Sequence, residues 1–152
     1  MKHVLIAALI GTSTLLASGT VSAQAKPEDV IKFRKSVYTV VGWHVRPLGA
    51  MVKGQMPFDQ AVFLKNAEIV ANMASIAPDA FAAGSDKGAE TRAKPEIWSD
   101  AAGFKKVMDN FQAESAKLVQ VARTAKDVDA VRSQFSALSK SCAGCHDNYR
   151  TK

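Results

Sequence analysis

Two cysteines and a histidine near the end of the chain share one short run, Cys142-Ala143-Gly144-Cys145-His146. Two thiols three residues apart can each add to a vinyl group of a porphyrin, and an imidazole beside the second can reach an iron from one side. The spacing Cys-x-x-Cys-His is therefore that of covalent haem attachment. It implies one haem c, with Cys142 and Cys145 as the thioether donors and His146 as the axial iron ligand. The chain has no other cysteine. Competing chemistries fit less well. A zinc site needs about four ligands, and past the first 23 residues only Cys142, Cys145, His44 and His146 are on offer. A disulfide here would close a loop too small to constrain the unfolded chain. Two inert core cysteines would leave His146 without a role. A redox-active dithiol is expected near a βαβ pattern. A haem-free thiol oxidoreductase is nevertheless the rival from another class.

The elements that must position this run read as helices. Val128, Val131, Phe135, Leu138, Cys142, Cys145 and Tyr149 recur at alternating spacings of three and four, and Asp127 is placed to cap their start. A preceding stripe runs through Phe104, Val107, Met108, Phe111, Ser115, Leu118, Ala122 and Ala125, capped by Ser99 or Asp100. An earlier helix is expected from about Pro57 to Ile76, with Phe63, Ala67, Val70 and Ala74 on one face. The first opens at Pro27, a residue suited to an initial turn, and carries Val30, Val37, Val41, His44 and Leu48. Pro47 is expected to kink or interrupt it near its end. A loop from Ala77 to Trp98 separates the second and third helices. The fold class is all-α, an antiparallel up-down-up-down four-helix bundle in one domain.

The N-terminus reads differently. Met1-Lys2-His3, an apolar run from Val4 to Ile10 and the small-residue ending Val21-Ser22-Ala23 are the layout of a cleaved secretory signal over 1–23. Its apolar run is too short to span a membrane. The haem domain is then 24–152, exported to the periplasm, and without Lys2 its formal charge is 19 − 14 = +5. The cations are scattered and not grouped into a patch, so no nucleic acid is expected as partner. No acid–base pair or nucleophile stands out, and no enzymatic activity is expected.

The bundle also says what faces the iron. His146 lies about 6–9 Å from the end of its helix, a depth matched on the first helix by Phe33 through Tyr38. That window holds no Met, His or Cys. An iron ligated strongly on one side only is the expectation. His44 sits too deep and reads as a core residue; Met51, Met56 and Met73 read as packing. Met108, at the start of the third helix, is the rival sixth ligand of a low-spin electron carrier.

These residues resemble the cytochromes c-prime, the class II cytochromes c, over essentially the whole chain past the leader. The resemblance runs through Lys26-Pro27-Glu28-Asp29, Val52-Lys53-Gly54-Gln55, Lys94-Pro95-Glu96-Ile97-Trp98-Ser99-Asp100 and the ending from Cys142 to Arg150. It implies Arg150 beside the proximal face, Arg34 and Lys35 near the haem propionates, and Tyr38 in the distal pocket. In low-spin relatives a Met near the start of the first helix binds the iron, and its absence here implies the high-spin, five-coordinate branch. The resemblance further implies binding of nitric oxide and carbon monoxide, exchange of electrons with a redox partner protein, and a homodimer through the first two helices. Val40, Trp43 and Phe58 fall off the core stripes and are candidates for such an outer apolar patch.

Overall fold

Aspartates open three of the four long helices in the computed structural model, which describes residues 25–152. The expected leader, 1–23, lies outside the described residues. Helix α1 (Pro27–Val52) instead begins on a proline, with Glu28 and Asp29 in its first turn, where acidic side chains complement the helix dipole. Helix α2 (Gln60–Ile76) is capped by Asp59, whose carboxylate accepts from Val62 N at 2.9 Å. A 3-10 turn (Ala77–Phe81) and a short helix α3 (Glu96–Ser99) follow. Helix α4 (Ala101–Thr124) is capped by Asp100 through Gly103 N at 3.0 Å, and helix α5 (Val128–Tyr149) by Asp127 through Ala130 N at 3.1 Å. Each cap satisfies a backbone donor that the helix itself leaves without a partner.

Side-chain ties fix the directions. Gln60 Nε2 donates to the carbonyls of Ala122 and Arg123, and Gln112 Nε2 donates to that of Ala74, so α2 and α4 run antiparallel. Gln134 Nε2 donates to Glu114 Oε2 at 2.6 Å, while Phe104 at the start of α4 stacks on Tyr149 at the end of α5. Arg132, in the first turns of α5, donates to the carbonyl of Val52, where α1 ends. The result is the expected antiparallel four-helix bundle. Its buried centre comes from the stripes: Val41 and Leu48, Phe63 through Ala74, Phe111 through Ala122, and Val131 through Leu138. Among the described residues no helix is long and apolar enough to cross a membrane.

Three expectations need correction. Helix α1 runs through Pro47 to Val52 without interruption. The carbonyl that Pro47 leaves without a donor is that of Trp43, a residue 68% exposed, so water can serve it while buried Leu48 and Met51 draw the last turn inward. The segment between α2 and α4 is not plain loop. Buried Ala77, Ala80 and Ile97 anchor the 3-10 turn and α3, and the Trp98 indole N–H donates to the carbonyls of Phe81 and Ala82 at 3.1 and 3.2 Å. Ser99 belongs to α3, which leaves the α4 cap to Asp100. Of the methionines read as packing, Met51 is buried but Met56 is exposed.

The cap of α5 holds the helix that carries the cysteine pair. Asp127→Ala is expected to cost about 1 kcal/mol and lower the melting temperature by about 4 °C, whereas Asp127→Ser should change little. Thermal unfolding followed by far-UV circular dichroism checks it.

Candidate haem site

Cys142 and Cys145 lie on one face of α5, and both are half-buried free thiols. Cys142 packs against the main core, and Cys145 against a second apolar cluster formed by Val37, Ala77, Ile97, Phe104, Met108 and Tyr149. The two clusters meet at Tyr38 of α1, which packs against both. That places Tyr38 close to the cysteine pair. Its hydroxyl donates to Met108 Sδ at 3.9 Å, a weak bond to a weak acceptor. Burial pushes the Tyr38 hydroxyl far above its ordinary range, the nearby Cys145 and Cys142 thiols add to this, and Arg34 opposes it. Tyr38 is therefore a neutral side chain at any physiological pH.

The thiols respond to the same environment. Burial pushes Cys145 up to about 11, with Cys142 adding and Arg150 opposing. Cys142 is raised too, chiefly by burial. His146 is exposed beside them, and its imidazole is held below the ordinary value by partial burial first, then by Arg150 and Arg92, against Asp147. The neutral, ligating form is favoured.

Arg34 is the unusual member. It is buried, no carboxylate within salt-bridge distance balances it among the described residues, and desolvation lowers its pKa. Its guanidinium lies 4.9 Å from the Phe81 ring centre and 5.6 Å from that of Trp98, and Nη2 donates to the carbonyl of Ser85 at 2.6 Å. Cation–π contact and the carbonyl and hydroxyl of Ser85 replace only part of the water such a group loses. A buried cation without a carboxylate, on the same helix as the Tyr38 that lies beside the two thiols, fits an anionic macrocycle carrying an iron.

Other candidates fall differently. Arg150 caps α5, its backbone pairs with Ala93 in an isolated antiparallel bridge, and its charge acts on both Cys145 and His146. Lys35 is exposed, with its ammonium 3.8 Å from Glu90, and is not drawn into the cluster. His44 is half-buried between α1 and α2, where Nδ1 donates to Asn66 Oδ1 at 2.8 Å. Asn66 is oriented for this by donating to the Val62 carbonyl. Sequence reasoning missed Phe81 and Ser85. Only the Pro78 start of the 3-10 turn hinted at order there.

Comparison with known proteins gives the same picture. A model of the cytochrome c' family matches residues 29–150. The chain belongs to the cytochrome c' family. It is 41% identical over 128 residues to the cytochrome c' of Alcaligenes xylosoxydans xylosoxydans, covering 84% of this chain and 98% of the relative. The solved cytochrome c prime of Shewanella frigidimarina matches with a TM-score of 0.80 and 38% identity, over 85% of this chain and 99% of that one. Solved forms of the Alcaligenes xylosoxidans protein include a nitric oxide complex of a leucine-to-isoleucine variant and a carbon monoxide-bound leucine-to-glycine variant. Each matches with a TM-score of 0.77 and 41% identity, over 84% of this chain and 98% of that one. Cytochromes c' bind haem c covalently, and this chain carries the two cysteines for it.

On denaturing gels stained for haem, the colour should stay with the polypeptide. Replacing both Cys142 and Cys145 by Ala should remove it entirely; colour that persisted in that variant would contradict thioether attachment.

Proposed function

We propose that this cytochrome c' family member works in the periplasm as a five-coordinate, high-spin haem protein. It binds nitric oxide and carbon monoxide, exchanges electrons with a redox partner protein, and is not an enzyme. The observation that carries this reading is Tyr38, a neutral, poorly ligating side chain that packs where the apolar clusters beside Cys142 and Cys145 meet. When bound, the haem would supply an iron able to take a small gas, and a one-electron couple. Cys142 and Cys145 would anchor it, His146 would ligate the iron, and Arg34 would offer its unbalanced charge to a propionate. Partial burial, and after it Arg150, lower the His146 pKa and so favour its neutral form. Lys35 lies outside this set unless its side chain swings inward.

The distal wall follows from the residues present. Tyr38, Phe81 and Met108 form an apolar surface with one hydroxyl already engaged. Entry of an anion such as cyanide or azide requires desolvation that this wall does not repay, whereas an uncharged diatomic loses little. The gas complexes of the Alcaligenes relative support the same ligand class. The periplasmic reading rests on the leader-like 1–23 segment and on the absence of a membrane-crossing helix among the described residues. Against a thiol oxidoreductase stands the high pKa of Cys145, which leaves little thiolate at neutral pH.

One observation favours a second reading. Met108 is buried in the cluster that covers Cys145, with its sulfur close to Tyr38, so Met108 is the rival sixth ligand. Carbon monoxide association separates the two. Tyr38→Ala should speed it about tenfold or more, because the ring no longer has to move aside, and Met108→Ala should leave the spectrum high-spin. If instead Tyr38→Ala changes nothing and Met108→Ala turns a low-spin spectrum high-spin, the second reading holds.

The homodimer belongs to the same proposal. Trp43 stands 68% exposed on α1. Val40 is half-buried, and Phe58 leans on Phe63 at 5.7 Å and so belongs partly to the core. An indole so exposed is costly in a monomer and is a typical interface anchor. Trp43→Glu is expected to weaken association at least a hundredfold in sedimentation experiments, with the spectrum unchanged.

A further inference from the structure

The first turn of α4 and the last turn of α5 meet at three residues that haem attachment leaves unused. Asp100 caps α4 with Oδ1, and its Oδ2 accepts from the Tyr149 hydroxyl at 2.7 Å. Gly103 stands inside α4, where glycine is among the poorest helix formers. The reason is spatial. A Cβ on Gly103 would overlap the Asp100 carboxylate and come within 2.5 Å of Tyr149 Oη. Helix propensity is given up where a methyl group would part the tyrosine from the carboxylate. Protonation states agree with a strong bond between the two. Tyr149 holds Asp100 below the usual carboxylate range, helped by Gly103 N–H, and Tyr149 itself is pushed up to about 12, chiefly by the same bond. Bonds from a neutral hydroxyl to a carboxylate are among the stronger ones.

Tyr149 lies one helical turn beyond Cys145 and three residues beyond His146, with its ring buried against Phe104 at 5.3 Å. The end of α5 has no glycine cap; Arg150 continues in extended backbone. Its last carbonyls are served by residue 94 instead. Lys94 N donates to the Tyr149 carbonyl at 3.0 Å, and Lys94 Nζ donates to those of Asp147 and Asn148. These ties and the Ala93–Arg150 bridge hold the end of the helix axially. The Tyr149 hydroxyl, reaching α4, adds a lateral hydrogen bond that resists its rotation.

We propose that Asp100, Gly103 and Tyr149 form a positioning latch that sets the rotation of the final turn of α5 and thereby aims the His146 imidazole. This rests on His146 as the axial ligand. None of the three touches the iron, so they are positioning residues. A helix end that frays presents its side chains over a range of orientations, whereas a latched one holds a ring in one.

The test uses the haem-loaded protein. Tyr149→Phe keeps the ring on Phe104 and removes the hydroxyl; Asp100→Ser keeps an α4 cap and withdraws the second acceptor. Each should shift and broaden the iron–histidine stretching band in resonance Raman spectra of the ferrous protein. Each should also raise amide exchange across Cys145–Tyr149 about tenfold, the scale of one lost hydrogen bond. The double variant should do no more than either single one. Gly103→Ala, which leaves both partners in place, should move the band in the same direction and serves if another variant fails to fold. Bands that superimpose on the wild type, even with a lowered melting temperature, would reduce the three residues to a structural role and overturn the latch. Additive effects in the double variant would overturn it as well. A wild type with no iron–histidine band at all would instead sink the axial reading of His146, and the latch with it.

Discussion

Four aromatic rings from four elements meet edge to face and join the bundle at the end where the cysteines lie. Tyr38 of α1 contacts Phe81 of the 3-10 turn at 6.2 Å, Phe81 contacts Phe104 of α4 at 4.8 Å, and Phe104 contacts Tyr149 of α5 at 5.3 Å. Such pairs contribute about 0.5–1.5 kcal/mol each beyond the area they bury, and their tilted geometry is directional. The row therefore does more than fill space. It sets how far apart α1 and α5 stand and which face of each meets the other. The placement of Cys142, Cys145 and Tyr38 depends on that setting.

Arg34 follows from the same row. Its guanidinium lies over Phe81 and Trp98, two rings already held in place by aromatic contact and by the indole bonds to Phe81 and Ala82. A charge so placed is solvated by π faces and by the carbonyl and hydroxyl of Ser85, and it keeps an unmet preference for an anion. The low polarity that leaves Arg34 unbalanced also raises the thiols of Cys142 and Cys145 and the hydroxyl of Tyr38. One environment accounts for all four shifts. It suits the attachment of a large apolar group with charged edges better than thiolate chemistry in water.

The outer surfaces work under other rules. Ion pairs such as Lys105–Asp109 and Lys117–Glu114 span single turns of exposed helix and add little to stability. Trp43, by contrast, breaks the pattern of a solvated face with a large apolar ring. The His44–Asn66 pair holds α1 to α2 one residue away from it, so the helix face that presents Trp43 is braced from within.

Much of this was legible in the sequence. The stripes from Phe63 to Ala74, Phe104 to Ala122 and Val131 to Tyr149 are local periodicities, and the caps at Asp100 and Asp127 are local hydrogen bonds. Neither needs knowledge of a distant residue, and both appear where the spacing placed them. The Cys-x-x-Cys-His run is local too, and antiparallel packing brings Tyr38 level with it. What only the tertiary structure decided involves contacts between segments far apart in the chain. Arg34 reads as an ordinary surface cation until Phe81, Ser85 and Trp98, some fifty to sixty residues away, close over it. Gly103 reads as a weak point in a helix until Tyr149 reaches Asp100 beside it. Pro47 reads as a break until the burial of Leu48 and Met51 carries the helix past it. In each case local propensity points one way and burial against a remote partner points the other. Contacts with remote partners prevail because several side chains act together, while propensity acts at a single position.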